Sequence, residues 1–185
     1  MGSLSGAGDS VSVRRIGGEM KGLAKKARPK KGVPGRQYAA LPFRYLDRLE
    51  ILLISSRETR RWVIPKGWPM KGRKPHAVAA REALEEAGVS GRIAKRSLGS
   101  YRYVKRLSDG APLPCTVEVF PMMVKRQREH WREQDQRTLQ WFAAEEAAAA
   151  VEEPELQALI DEFAWSAVRA VRGLTDEESE PTPEG

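Results

Sequence analysis

The chain has 185 residues, 41% of them hydrophobic, which suffices for one domain with a substantial core plus tails. Its single cysteine, Cys115, excludes an intramolecular disulfide framework and a multi-cysteine zinc site, and its two histidines, His76 and His130, give little support to a histidine-rich metal centre or a Ser/His/Asp triad. The net charge is +7, no apolar run approaches the length of a membrane span, and the first residues lack the hydrophobic core of a signal peptide; the expectation is a cytoplasmic protein with no membrane partner.

In chain order, residues 1 to 36 carry nine basic side chains, among them Arg14, Lys25, Lys26, Lys31 and Arg36, against Asp9 and Glu19. With Gly, Ser and Pro scattered through it and no sustained apolar period, 1–35 reads as a disordered basic arm: a solubilising tail, or a weak contact for RNA and other polyanions. Gln37 to Arg44 and Leu49 to Ser56 read as strands joined by a short polar turn, and Arg61 to Pro65 as a third extended piece. Pro75 to Ala87 has helix signals at both ends, Pro at a first-turn position and Gly88 at the stop. Arg92 to Val104 is extended in character, Ser108-Asp109-Gly110 is a turn signal, and Leu113 to Val124 is an apolar strand in which Cys115 is a packed thiol. Leu139 to Phe142 is another short strand. Two helical stretches follow, Ala144 to Val151 and Glu153 to Val171, the second with Leu156, Leu159, Ile160, Phe163, Ala167 and Val171 at helical spacing. The pattern is α/β, with one domain over 36–172 and an acidic, Pro-containing disordered tail over 173–185.

The helix 75–87 carries the chemistry. At about 100° per residue, Glu82, Glu85 and Glu86 fall within an arc of roughly 100°, while Ala77, Ala80, Leu84 and Ala87 cluster on the opposite side as a stripe to be buried. Three converging oxygen ligands suit a hard divalent cation. A Glu-rich face with Arg81 four residues before Glu85 also fits a solvated surface laced by weak ion pairs. The wider spacing weighs for the first reading. Gly67, Arg81-Glu82, the aliphatic Ala83, Glu85-Glu86, Gly88 and the aliphatic Val89 resemble the Nudix box, in which a Gly-x5-Glu-x7-Arg-Glu-x-x-Glu-Glu-x-Gly frame has aliphatic residues at set positions. The departure is Arg73, which stands in place of the box's first Glu.

The resemblance implies an α/β/α sandwich with a central mixed sheet and hydrolysis of a diphosphate linkage with Mg2+ or Mn2+ as cofactor. It makes Glu85 and Glu86 the main metal ligands, Glu82 a further ligand or the group that helps to deprotonate the attacking water, Arg81 a residue that orients a glutamate, and Gly67 the point where backbone comes close to metal or phosphate. Ser55-Ser56-Arg57 with Arg61 to Gly67 resembles the diphosphoinositol polyphosphate phosphohydrolases, which also cleave diadenosine polyphosphates. That likeness points to Ser55 and Arg57 as phosphate contacts and aligns Arg36 and Arg137 with phosphate-binding basic positions. Lys66 and Trp68 replace glycines of that group's loop. Lys66 adds charge where phosphate would lie, and Trp68 is either a base-stacking ring or a packed anchor. The alternatives are a nucleoside triphosphate or RNA 5′-end pyrophosphohydrolase, and a non-catalytic Nudix-fold module that binds RNA.

Overall fold

In the computed structural model, which describes residues 26–27, 29, 33–107 and 109–177, the sheet is assembled on one strand. Strand β7 (Pro112–Gln127) is sixteen residues long. On one side it pairs in parallel with β1 (Gly35–Tyr45), in register from Gly35↔Cys115 to Phe43↔Met123. On the other it carries two antiparallel strands end to end: β6 (Gly99–Arg106) against its first half and β5 (Val89–Ile93) against its second. β2 (Leu49–Ser55) turns back beside β1 and also pairs with β8 (Leu139–Ala143).

β1 and β2 are paired only between Phe43↔Ile51 and Tyr45↔Leu49. Beyond that they separate, and the segment from β3 (Trp62–Val63) to β4 (Lys66–Gly67) fills the opening. β3 bonds to β2 through Ile54↔Val63, β4 bonds to β1 through Tyr38↔Gly67, and the Ala40 N–H donates to the Pro65 carbonyl at 3.0 Å. This wedge sets Gly67 beneath the helix that bears the glutamates.

Because side chains alternate along a strand, a sheet covered on both faces has apolar residues at successive positions. β2 shows it. Ile51 and Leu53 turn to one face with Leu41, Val117 and Val119, where they pack against α2 (Ala144–Ala150) and α3 (Pro154–Glu177) through Ala147, Leu156 and Ile160. Leu52 and Ile54 turn to the other face with Ala40, Phe120 and Met122, beneath Ala79, Ala83 and Ala87 of α1 (Pro75–Ala87). The result is the expected α/β/α sandwich around a mixed sheet.

The helix bounds expected for α1 hold. Pro75 occupies the first turn, where its missing N–H leaves no bond unmade, and Gly88 closes the helix at φ 67° with its N–H directed at the carbonyls of Ala83 and Leu84. The expected extended stretch 92–104 is two strands rather than one, since the chain leaves β7 after Ile93 and rejoins it at Gly99. α3 runs to Glu177. Of the arm and tail read as disordered, 1–25, 28, 30–32 and 178–185 lie outside the described residues. Lys26 is placed against the domain, in an isolated antiparallel bridge to Met70. Among the described residues no helix is long and apolar enough to cross a membrane.

The two cores can be tested independently with neighbouring residues. Ile51→Ala and Leu52→Ala each empty a fully buried site on opposite faces of β2. Each is expected to lower the unfolding free energy by about 2–5 kcal/mol in urea denaturation, with neither face tolerant.

Candidate active site

The buried side of α1 differs from the expected one. Of Ala77, Ala80, Leu84 and Ala87 only Ala87 is buried; the covered residues are Val78, Ala79, Ala83 and Ala87 together with the carboxylates themselves. The small alanines let the helix lie close to the sheet, and the β3–β4 wedge rises beside the acidic arc. Glu82 is 1% exposed, Glu85 7% and Glu86 8%. A carboxylate taken out of water is costly unless paired, so the solvated-surface reading fails here and the question becomes what balances each charge.

Glu86 is held from two directions. Its Oε1 lies 2.5 Å from an Arg137 guanidinium nitrogen, and its Oε2 accepts the backbone N–H of Lys66 at 3.0 Å. Burial pushes its carboxyl up to about 7 against the opposing attraction of Arg137 and Lys66. Glu85 receives Arg81 Nε on Oε1 at 2.5 Å and Arg132 on Oε2 at 3.2 Å; burial raises its pKa, but the hydrogen bond from Arg81 and the nearby charges of Lys26, Arg81 and Arg132 outweigh it, and the net shift is downward. Glu82 meets Lys26, whose Nζ donates to Oε2 at 2.9 Å and stands 2.7 Å from Oε1. Burial raises the Glu82 pKa despite that ammonium.

Gly67 has a steric task that the sequence only hinted at. A Cβ at this position would overlap the Glu82 carboxylate, so only glycine lets β4 pass beneath it.

Among the described residues, no three acidic, imidazole or thiol side chains are gathered into a ligand cage as they stand. Their oxygens are turned onto lysine and arginine. The donor set nevertheless fits a divalent cation: all three groups are oxygen donors on one buried helix face, and both oxygens of Glu82 already face a cation, the Lys26 ammonium. Glu82, Glu85 and Glu86 would hold the ion, which would take the place of Lys26 while Arg81 and Arg137 stay as outer partners of Glu85 and Glu86.

The remaining expected site residues are less uniform. Arg57 is exposed, its side chain 54% accessible and tied among the described residues by a 3.5 Å contact to Gln136 and a 3.8 Å contact to Glu133. Ser55 and Arg137 are occupied by protein instead: Ser55 Oγ accepts the Thr138 N–H at 2.9 Å, and Arg137 bonds Glu133 at 2.8 Å and the Ser55 carbonyl at 3.0 Å besides Glu86. Arg137 is thus a clamp on Glu86, with no donor face turned to solvent. Lys66 lends Glu86 its backbone N–H, while its amine lies 5.4 Å from the Tyr103 ring, where burial pushes its pKa down to about 8. Trp68 is the packed anchor, 8% exposed against Cys115 and Leu113; a Cβ on Gly35 would come within 2.8 Å of its ring. Arg36 lines a separate shallow depression with Ser97, Ser100, Thr116 and Glu118, which includes none of the three glutamates. Arg73 is exposed in the loop before α1.

Lys26, Arg132 and Glu133 were not among the expected site residues. The contacts of Lys26 and Arg132 with the glutamates join segments far apart in sequence, 56 residues for Lys26 to Glu82 and 47 for Arg132 to Glu85, and no local period marks them, whereas Glu133 meets Arg137 four residues on. The excess of basic residues in the arm and in 125–137 was the only available signal.

The NUDIX domain model matches residues 35–163. The chain belongs to the Nudix family. As a Nudix hydrolase it is 30% identical over 149 residues to Nudix hydrolase 16, mitochondrial, of Arabidopsis thaliana, covering 72% of this chain and 82% of that one. It is 32% identical over 115 residues to diphosphoinositol polyphosphate phosphohydrolase 2 of Rattus norvegicus, covering 60% of each chain. The C. elegans Ap4A hydrolase shares the fold, with a TM-score of 0.53 at 18% identity over 73% of this chain and 99% of that one. Enzymes of the Nudix family generally use divalent metal ions, in agreement with the donor set on α1.

Gly67→Ala tests the close approach. Displacing Glu82 by even an ångström is expected to lower turnover by about 10²-fold while the far-ultraviolet circular dichroism stays that of the parent.

Proposed function

We propose that this Nudix hydrolase cleaves phosphoanhydride bonds in densely phosphorylated small molecules, diadenosine polyphosphates or diphosphoinositol polyphosphates, with Mg2+ as the resident ion and Mn2+ able to replace it. One observation carries the reading: three buried carboxylates on one helix face are paired with lysine and arginine, of which the Arg132 side chain is 56% exposed, and Arg57, 54% exposed, meets Glu133, which also bonds the Arg137 that holds Glu86. Such a rim attracts polyanions and excludes neutral substrates. The likeness to the rat enzyme supports the same substrate class, as does the resemblance of Ser55 to Arg57 and of Arg61 to Gly67 to that group of enzymes.

The divalent ion, when bound, neutralises phosphate charge and lowers the pKa of the attacking water. The protein's own residues do the rest. Glu85 and Glu86 would hold the ion, and Glu82 would complete the oxygen set or serve as the base for the attacking water. Arg81 orients Glu85, and Arg137 together with the Lys66 N–H orients Glu86. Arg57 and Arg132 engage phosphate by charge-assisted hydrogen bonds.

Glu85→Gln and Glu86→Gln keep side-chain shape and remove ligand charge. Each is expected to cost more turnover than the roughly 10–100-fold typical of losing an outer partner, and Arg137→Met, which removes such a partner, should fall within that range. Near-parental hydrolysis by either glutamine variant in saturating magnesium would remove that residue from the site.

Arg57→Ala is expected to raise KM on long-chain substrates, lowering kcat/KM by about 10–100-fold with a smaller change in kcat. A mass-resolved product panel with magnesium then separates substrate classes: diadenosine polyphosphates and diphosphoinositol polyphosphates against nucleoside triphosphates, ADP-ribose and 5′-triphosphorylated RNA. Faster cleavage of mononucleotides or RNA ends would replace the proposed substrate. Metal binding without cleavage would favour a binding module.

A further inference from the structure

Lys26 is far from the active-site helix in sequence, yet its ammonium is seated on two of the three glutamates. Nζ lies 2.7 and 2.9 Å from the two Glu82 oxygens and 3.7 Å from Glu85 Oε2. A backbone tether delivers it: Lys26 forms an antiparallel bridge with Met70, and the Ala27 N–H donates to the Pro69 carbonyl at 2.7 Å. Pro69 and Met70 follow directly on Gly67 and Trp68, so the tether is anchored to the same loop that passes beneath Glu82.

We propose that Lys26 is a built-in competitor of the divalent ion, a tethered cation that caps Glu82 and Glu85 until metal displaces it. The inference rests on the reading of these glutamates as metal ligands. Charge balance supplies the reason. Glu82 is 1% exposed, and a lone carboxylate at that depth requires a cation. The ammonium serves in the absence of metal. A divalent ion needs the same oxygens, so metal and ammonium cannot both occupy them. The seat is also a weakly held one: the described tether is a single isolated bridge, made through the Ala27 N–H to Pro69 carbonyl bond, and the Lys26 side chain keeps 34% of its surface in water. Metal therefore binds the fraction of molecules in which the ammonium has moved off, and its apparent dissociation constant is multiplied by the inverse of that fraction.

The test measures Mn2+ affinity of the full chain by electron paramagnetic resonance, a readout independent of turnover. Lys26→Met is expected to tighten Mn2+ binding by at least about fivefold. Ala27→Pro, which removes the tethering N–H but leaves the ammonium in the chain, should shift affinity in the same direction. Lys26→Arg keeps the charge and should stay within about twofold of the parent. Without metal, Lys26→Met should melt at a lower temperature than the parent and gain more from added Mn2+, because its Glu82 is unpaired. Mn2+ binding in the parent with equal or weaker binding in Lys26→Met and Ala27→Pro would overturn the proposal and leave the metal site standing. No Mn2+ binding in the parent or in either variant would overturn both.

Discussion

The burial of three like charges on one helix face is the constraint from which much else in this structure follows. Glu82, Glu85 and Glu86 sit within two turns of α1, each under a tenth exposed, and their mutual repulsion in a poorly solvated setting has to be offset by cations or hydrogen-bond donors. Each carboxylate draws a donor from a different part of the chain. Arg81 comes from the helix itself, Lys66 from β4, Arg132 and Arg137 from the connection between β7 and β8, and Lys26 from the segment ahead of β1. Strapping together such distant segments gives the site its shape.

The sheet makes this possible by opening. β1 and β2 separate after three paired positions, and the β3–β4 wedge that enters the gap brings a backbone N–H and a residue without a side chain to the glutamates. The N–H is a fixed donor to Glu86, and the missing side chain at Gly67 is the space that Glu82 occupies. A continuous β1–β2 ladder would use its N–H groups within the sheet and leave none for the site.

Division of labour among the basic residues follows from burial. Arg137, with its side chain 6% exposed and bonded to Glu86, Glu133 and the Ser55 carbonyl, is committed to architecture. Arg57 and Arg132 keep more than half of their surface in water, and their protein contacts are long, from 3.2 to 3.8 Å. Arginines of the second kind can exchange a weak intramolecular contact for phosphate at little cost. Those of the first kind cannot, since letting go strands a buried carboxylate.

Local pattern was sufficient for most elements. Pro75 and Gly88 bracket α1, the consecutive apolar residues of β1 and β2 mark strands covered on both faces, and the spacing from Gly67 to Val89 carried the family and the three glutamates, because all these signals lie within one element or one short run. What a one-dimensional pattern could not decide was direction. The stripe of Ala77, Ala80 and Leu84 has the better hydrophobic period, yet α1 buries its acidic arc because the neighbouring Val78, Ala79 and Ala83 fit the sheet and the wedge covers the rest. Trp68 as anchor, Arg137 as clamp and Lys26 as counter-ion depend on contacts between residues far apart in sequence, 51 positions for Arg137 to Glu86 and 56 for Lys26 to Glu82. Such contacts exist only after the sheet has closed, when the burial of a charge dictates which distant cation must meet it.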